Sequence, residues 1–219
     1  MSLQLFAHPF SSYCQKALIA LYENNIPFTL RMLSPEDPEA GAEWERLWPL
    51  KKMPILKDGD EVIVEATTVI EYLQLRYPGP VRLIPDDPEQ ALRVRMLDRI
   101  FDNYVSTPQQ KLVFDSLRPE GQHDAAGVAD ARTQLETIYA WLDREMAGRT
   151  WAAGEAFTLA DCGAAPFLFY ADWCLEIPQS LATLRAYRAR LLARPSVVRC
   201  VDEARPFRSF FPLGAPDRD

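Results

Sequence analysis

The sequence predicts an α/β domain followed by an all-helical one, and three observations carry that division. Strand and helix patterns follow each other as β-α-β and then β-β-α up to residue 78. A proline-rich stretch at 78–88 interrupts the chain, and no convincing strand signal follows it. The stretch Phe10-Ser11-Ser12-Tyr13-Cys14-Gln15-Lys16 falls where the first strand ends and the first helix begins, which marks a candidate site inside the first domain.

Leu3-Gln4-Leu5-Phe6 alternates as a short strand, and Cys14, Ala17/Leu18 and Leu21 then recur at helical spacing. Asn24-Asn25 closes that helix, and Ile26-Pro27 forces the chain extended again. Phe28, Leu30 and Met32 alternate with Thr29 and Arg31, the pattern of a half-buried strand, so the two strands should pair in parallel through a right-handed crossover. Over 34–48 the chain is acidic, with Pro35 and Pro38, and a short helix there would carry Trp44 and Leu47. Asp58-Gly59-Asp60 between two apolar runs is a hairpin signal. Val69, Ile70, Leu73 and Tyr77 then mark one face of a helix beginning near Glu65 or Ala66 and stopped by Pro78-Gly79-Pro80. A small mixed sheet with helices packed over it, as in thioredoxin-like domains, suits this order; the strand order cannot be read from it.

Beyond the stretch at 79–88, taken as an interdomain linker, the pattern is helical throughout. Ala91, Leu97, Ile100/Phe101 and Tyr104 give one amphipathic helix, with a kink or restart at Thr107-Pro108. Ala131, Leu135, Ile138, Leu142 and Met146 mark a long helix closed by Gly148. Leu181, Leu184, Tyr187 and Leu191 mark a further one, ending before Pro195. The domains are therefore set at 1–78 and 89–219.

Composition narrows the function. A net charge of −7 without a Lys/Arg cluster argues against a nucleic-acid partner. No apolar run is long enough to span a bilayer, and Met1-Ser2-Leu3-Gln4 runs into a strand without a signal core, so a cytoplasmic protein is expected. Cys14, Cys162, Cys174 and Cys200 show no C-x-x-C or zinc-like grouping, so reduced thiols and no metal are expected. His8 and His123, the only histidines, lie in no metal or triad pattern.

Three motifs admit chemistry, and a fourth is structural. Ser11 and Ser12 stand at a helix start, whose unpaired N–H groups and positive dipole end favour an anion such as a thiolate; the alternative is that one of them is only an N-cap. Met53-Pro54 heads a strand, and its bond is either an ordinary trans one or a cis one that leaves the Met53 backbone free to pair with a peptide. Glu65-Ala66-Thr67-Thr68 at the turn into a helix is either a capping element or a site for a group carrying both a carboxylate and an ammonium. Thr158-Leu159-Ala160-Asp161 has the spacing of a capping box and is structural, contributing on the order of 1 kcal/mol.

Together these residues resemble the cytosolic glutathione transferases of bacterial type. Ser11 to Leu21 is similar to the S-S-C-S-W-R-V-R-I-A-L stretch of zeta-type members and to the C-P-x-[CS]-Q-[RK] stretch of omega-type and dehydroascorbate-reductase-type members. Trp48 to Leu56 resembles N-P-x-G-K-V-P-x-L, and Glu65 to Leu73 resembles E-S-x-x-I-x-E-Y-L. Phe157-Thr158-Leu159-Ala160-Asp161 matches the family's helix-capping element, and Arg194-Pro195-Ser196-Val197 with Glu203-Ala204-Arg205-Pro206 is similar to its last helix. The resemblance implies a thioredoxin-like domain that binds glutathione as co-substrate and a helical domain that completes a pocket for a small hydrophobic electrophile, in a homodimer serving detoxification. It further implies a cis bond before Pro54, the Met53 backbone paired to the cysteinyl part of glutathione, Lys52 facing the glycyl carboxylate, and Glu65 taking the γ-glutamyl ammonium or neighbouring backbone donors. Ser11 would donate to the sulfur, with Ser12 as cap or second donor. Two departures stand out: Ala66 replaces the serine that grips the γ-glutamyl carboxylate, with backbone N–H groups or Thr67 left to compensate, and Trp48 and Lys51 replace an Asn and a Gly.

Conjugation is the leading expectation. A cysteine-based glutathione-dependent thiol–disulfide reductase or lyase is the alternative, though it needs a reactive thiol where Ser11 stands, and Cys14 falls on the packed helix face. A glutathione-binding scaffold without turnover is the third. The electrophile pocket should draw on Phe10, the helix from Tyr104 to Phe114, and either the aromatic tail around Phe207, Phe210 and Phe211 or not, if that tail is only packing.

Overall fold

Alternating apolar residues make Leu3–Ala7 a strand, β1, in a four-stranded sheet ordered Phe28–Met32, Leu3–Ala7, Ile55–Asp58, Glu61–Val64. The computed structural model describes residues 3–219; Met1 and Ser2, expected to lead directly into the first strand, lie outside them. β2 (Phe28–Met32) pairs with β1 in parallel, Leu5 opposite Leu30, and the crossover between them is α1 (Ser12–Glu23). β3 (Ile55–Asp58) runs antiparallel to β1, and β4 (Glu61–Val64) to β3. Gly59 at φ 61° makes the hairpin turn, a left-handed conformation that costs glycine little. The domain is the thioredoxin-like one expected.

The period of two sorts the sheet's side chains onto two faces. Leu3, Leu5, Ala7 and Leu56 face α1 and α3 (Ala66–Arg76) in the main core. Phe6 and Ile55 face the other way and pack on Ala40 of α2 (Pro38–Leu47), with Trp44, Leu47 and Trp48 around them. β2 is less covered than its alternation implies: Leu30 is exposed, because β2 is an edge strand.

The connection from α3 to the helical part is held in place rather than loose. Asn24 donates to the Val81 carbonyl (3.0 Å) and accepts its N–H (2.8 Å), and Gln74 pairs in the same way with Ile84. Gly79 has no side chain where one would meet Asn24 Oδ1 at 2.3 Å, so the approach depends on that glycine. Pro88, placed by the sequence at the end of the linker, is the first residue of α4 (Pro88–Ile100), which Asp87 caps.

The helical part continues with a π-helical turn, Phe101–Ser106, then α5 (Thr107–Ser116), α6 (Ala125–Glu145), α7 (Leu159–Cys174), α8 (Ala182–Leu192), α9 (Pro195–Ala204) and a 3₁₀ turn, Arg205–Phe210. Pro108 has no N–H to give an α-helical partner, and the wider turn before it absorbs that loss. One consequence departs from the sequence pattern: Val105 is buried in this turn, and Tyr104, expected on the buried stripe, is exposed. α7 is the axis of this part, with Leu159 through Trp173 all buried. α1 lies between the two parts, touching α3 on one side and α7 and α9 on the other, so all its residues from Cys14 to Leu21 are buried. No helix among the described residues is long and apolar enough to cross a membrane.

Candidate functional site

The start of α1 forms one wall of a cleft at the junction of the two parts, about 590 Å³ in volume. Ser11 is extended (φ −82°, ψ 124°), and its Oγ accepts the Cys14 N–H at 3.4 Å. Ser11 is therefore the N-cap, and of the two roles expected for Ser12, cap or second donor, the capping one falls away. The capping bond uses an oxygen lone pair and leaves the Ser11 proton free to donate. Ser12 is the first residue of α1, and its hydroxyl has no protein partner among the described residues. Both serines line the cleft. Cys14 is fully buried behind them, and burial pushes its thiol up to about 11, against the direction a reactive thiolate needs.

The proline loop forms the second wall. Its Met53–Pro54 bond is cis, as the resemblance implies, and both residues face the cleft. Trp44 Nε1 donates to the Lys52 carbonyl at 2.9 Å, and Lys51 N–H to the Trp48 carbonyl at 2.9 Å, so α2 holds the loop in position. Trp48, an unexplained departure in the sequence, packs against the Phe6, Ala40 and Ile55 group while lining the cleft. Lys51 pairs with Glu45 at 2.9 Å. The Lys52 side chain is in no ion pair among the described residues and borders the cleft.

The third wall is the entry to α3. Glu65 has φ 69° and ψ 119°, a conformation that L residues avoid and that gathers at binding sites. It makes no side-chain capping bond, so its exposed carboxylate is open to the cleft beside Ala66. Thr67, expected among the ligand contacts, is turned elsewhere. Its hydroxyl accepts from Lys16 Nζ (2.8 Å) and Arg99 Nη2 (2.6 Å) and donates to Asp98 Oδ2 (2.8 Å). That fills the capacity of a hydroxyl, so Thr67 cannot supply the grip that Ala66 lacks.

The helical part closes the cleft with apolar and amide groups. Gln109, Gln110, Val113 and Phe114 come from α5 and Tyr170 from α7. The tail divides: Phe211 is buried against Tyr170 (ring centroids 6.2 Å) and Trp173 (5.1 Å), while Phe210 is 65% exposed at the cleft. Phe10 meets Tyr170 edge-on at 5.4 Å. Tyr104 contributes nothing here; it borders a separate groove with Ile138 and Trp141.

Sequence reasoning missed a polar group behind these walls. Lys16 and Asp98, both 0% exposed, pair at 2.5 Å, with Lys16 Nζ 5.6 Å from the centre of the Phe167 ring. Arg99 reaches Asp98 (2.7 Å) and Asp102 (2.8 Å), and Asp102 Oδ1 accepts the Tyr13 hydroxyl at 2.5 Å. Desolvation and that carboxylate raise the Tyr13 phenol well above its ordinary range, so it stays a donor to Asp102 rather than to a ligand. The signal was present: a lysine inside the apolar run of α1, and an aspartate on the Ala91–Val94–Leu97 face of α4.

Fold and cleft define a two-domain protein whose thioredoxin-like part offers helix starts to an anionic or zwitterionic ligand and whose helical part adds an apolar chamber. Residues 5–81 match the glutathione S-transferase N-terminal domain, and residues 125–190 the glutathione S-transferase C-terminal domain. The chain is 30% identical over 166 residues to human glutathione S-transferase theta-2, covering 74% of this chain and 68% of that protein. It is 33% identical over 95 residues to mouse glutathione S-transferase theta-3, covering 43% of this chain and only 39% of that relative's length. A crystal structure of a glutathione S-transferase from Methylobacillus flagellatus KT with gsh bound superposes with a TM-score of 0.82 at 26% identity, over 91% of this chain and 98% of that one. The chain belongs to the glutathione S-transferase family.

Proposed function

We propose that this protein is a glutathione transferase of the serine type, joining the glutathione sulfur to a small hydrophobic electrophile. The observation that carries the reading is the convergence, in one cleft, of the α1 start with Ser11 and Ser12, the Met53–Pro54 loop with Lys52, and the Glu65–Ala66 turn, faced by an aromatic chamber. That the Methylobacillus flagellatus structure holds gsh supports it. Glutathione would lie with its γ-glutamyl ammonium toward Glu65, its cysteinyl backbone along Met53, its glycyl carboxylate toward Lys52 and its sulfur over the α1 start. A cytoplasmic homodimer without a metal fits the same reading.

The chemistry follows from the thiol. An unperturbed thiol titrates near ~8.5, so only a few per cent is ionised at neutral pH. A hydrogen bond to a charged acceptor contributes about 1.5–3 kcal/mol, or roughly one to two pKa units, and the helix dipole acts in the same direction. The thiol proton leaves to solvent, the thiolate attacks the electrophilic carbon, and a C–S bond forms. A leaving group departs with its electron pair, or the adduct takes up a proton. Ser11 acts as donor while its oxygen caps the helix, and Ser12 supplies a second hydroxyl at the same helix start.

The two serines separate by substitution. With 2,4-dinitrochlorobenzene as electrophile, Ser11→Ala should lower kcat/KM by at least about tenfold and raise the acid limb of its pH profile by about one unit, the worth of one hydrogen bond to a thiolate. Ser12→Ala should cost less than about threefold. The reverse order would assign the sulfur to Ser12. Glutathione binding by wild type without turnover across a broad electrophile panel would instead identify a scaffold, a reading that the missing hydroxyl at Ala66 favours.

A further inference from the structure

Ala66 leaves the γ-glutamyl carboxylate without a side-chain hydroxyl, so on the reading above its grip falls on the backbone N–H groups of the first turn of α3. Backbone donors cannot adjust by rotamer, so the grip depends on where that turn is held. Thr67 ties that turn to α1 and α4 through its hydroxyl, which bonds to Lys16 (2.8 Å), Asp98 (2.8 Å) and Arg99 (2.6 Å). Lys16 and Asp98 belong to the buried core, but Arg99 is 47% exposed and reaches further. The same Arg99 Nη2 lies 2.8 Å from Asp102, whose other oxygen accepts the Tyr13 hydroxyl in the first turn of α1. Ser106 Oγ adds a bond to the Tyr13 oxygen at 3.3 Å from the same π-helical turn.

We infer that Arg99 is a positioning residue for glutathione. It ties the turn that would hold the γ-glutamyl end to the turn that would hold the sulfur, through Thr67 on one side and Asp102–Tyr13 on the other. The inference rests on the proposed glutathione site and adds to it a residue outside the cleft wall. All three contacts converge on Nη2, whose two N–H groups and positive charge are shared among Thr67, Asp98 and Asp102, and guanidinium keeps that charge at any working pH. Its removal leaves Lys16 with Asp98 and Thr67, so the buried charges remain paired.

Steady-state kinetics and calorimetric glutathione titration of full-length wild type, Arg99→Gln and Arg99→Lys test the inference. Arg99→Gln should raise KM for glutathione and its dissociation constant about tenfold, with kcat at saturating glutathione and KM for the electrophile within about twofold of wild type. Arg99→Lys keeps the charge on a shorter side chain that places its nitrogen differently, and should raise the glutathione KM about threefold. A merely structural role would lower kcat through the active fraction and leave the glutathione KM unchanged, and that outcome overturns the inference. If Arg99→Gln does not fold, Arg99→Lys decides in the same way. Wild type that binds glutathione no better than Arg99→Gln overturns the positioning role alone. Wild type that shows no binding overturns the glutathione site itself and the inference with it.

Discussion

Lys51 and Cys14 show how single residues bear on the site. Lys51 stands where the resembling family motif has glycine, and it holds φ 52°. Left-handed backbone costs an L residue about 1–2 kcal/mol, while glycine loses roughly 0.5–1 kcal/mol more backbone freedom on folding. The exposed pair with Glu45 offsets a few tenths of a kcal/mol at most. Lys51→Gly should therefore stabilise the protein by about 0.5 kcal/mol and raise Tm by about 1–2 °C in a thermal melt; a lower Tm would mean the loop draws more from Lys51 than its conformation costs. The departure was legible in the sequence, but the torsion that gives it a consequence was not. Cys14 was legible as core, because it falls on the apolar helical stripe, and its burial raises the thiol from 9.0 to about 11. The folded chain keeps this proton between those values while the unfolded chain has lost it, so the contribution is full below pH 9 and disappears as pH rises toward 11. Urea midpoints measured from pH 8 to 11 should fall more steeply for wild type than for Cys14→Ala; equal slopes would show that Cys14 titrates alike in both states. The partners of the Thr67 hydroxyl lie on α1 and α4 and leave no local pattern, so its occupation was not legible in the sequence.

Elements whose signals are local were recovered and those set by distant partners were not. The β3–β4 hairpin follows from Asp58-Gly59-Asp60, and the α7 start from Thr158 and Asp161 three residues apart. The π-helical turn lay outside a period of 3.6, so the stripe that began at Ala91 slipped from Tyr104 to Val105 when the helix widened ahead of Pro108. Asp102 lies in this turn and accepts the Tyr13 hydroxyl, so a turn that the periodicity could not foresee supplies one of the bonds between α1 and the helical part. Asp161 extends the point. Its Oδ2 accepts from Thr158 N–H (2.9 Å), as the capping box requires, and in addition from the Thr158 hydroxyl (3.0 Å). Its Oδ1 accepts from Ala152 N–H (2.8 Å) and the Tyr187 hydroxyl (2.7 Å), which ties the loop before α7 and helix α8 to the same carboxylate. Asn in its place has one oxygen and an NH2, so one buried backbone N–H would meet a donor and one hydroxyl would have to reverse its bond. Asp161→Asn should cost about 2–4 kcal/mol and lower Tm by about 5–15 °C. A shift of only a degree or two would mean the site rearranges to satisfy an amide.

At the scale of the whole molecule, two sequence domains do not make two independent folding units. α1 belongs to the sheet by sequence, yet its polar residues bond to the helical part along its length. Gln15 donates to the Tyr170 hydroxyl (3.2 Å), Lys16 pairs with Asp98 (2.5 Å), Tyr22 donates to Glu203 (2.7 Å), and Glu23 takes Arg194 Nε (2.7 Å). Exposing this face would leave Lys16 without its counter-ion and uncover the apolar residues that meet α7 and α9. Each part should therefore be unstable without the other. The tryptophans report on them separately: Trp44 and Trp48 lie in the thioredoxin-like part, and Trp141, Trp151 and Trp173 in the helical part. A Trp44→Phe/Trp48→Phe variant, followed by fluorescence and by far-ultraviolet circular dichroism in urea, should give one transition with coincident midpoints, and the same midpoint as wild type corrected for the variant's own stability. The cleft lies on this junction, so a cooperative junction also holds its walls together: the sulfur end and the aromatic chamber can be lost only in the global transition. Separate midpoints would instead show that the helical part opens alone, and the chamber would then be expected to loosen before glutathione is released.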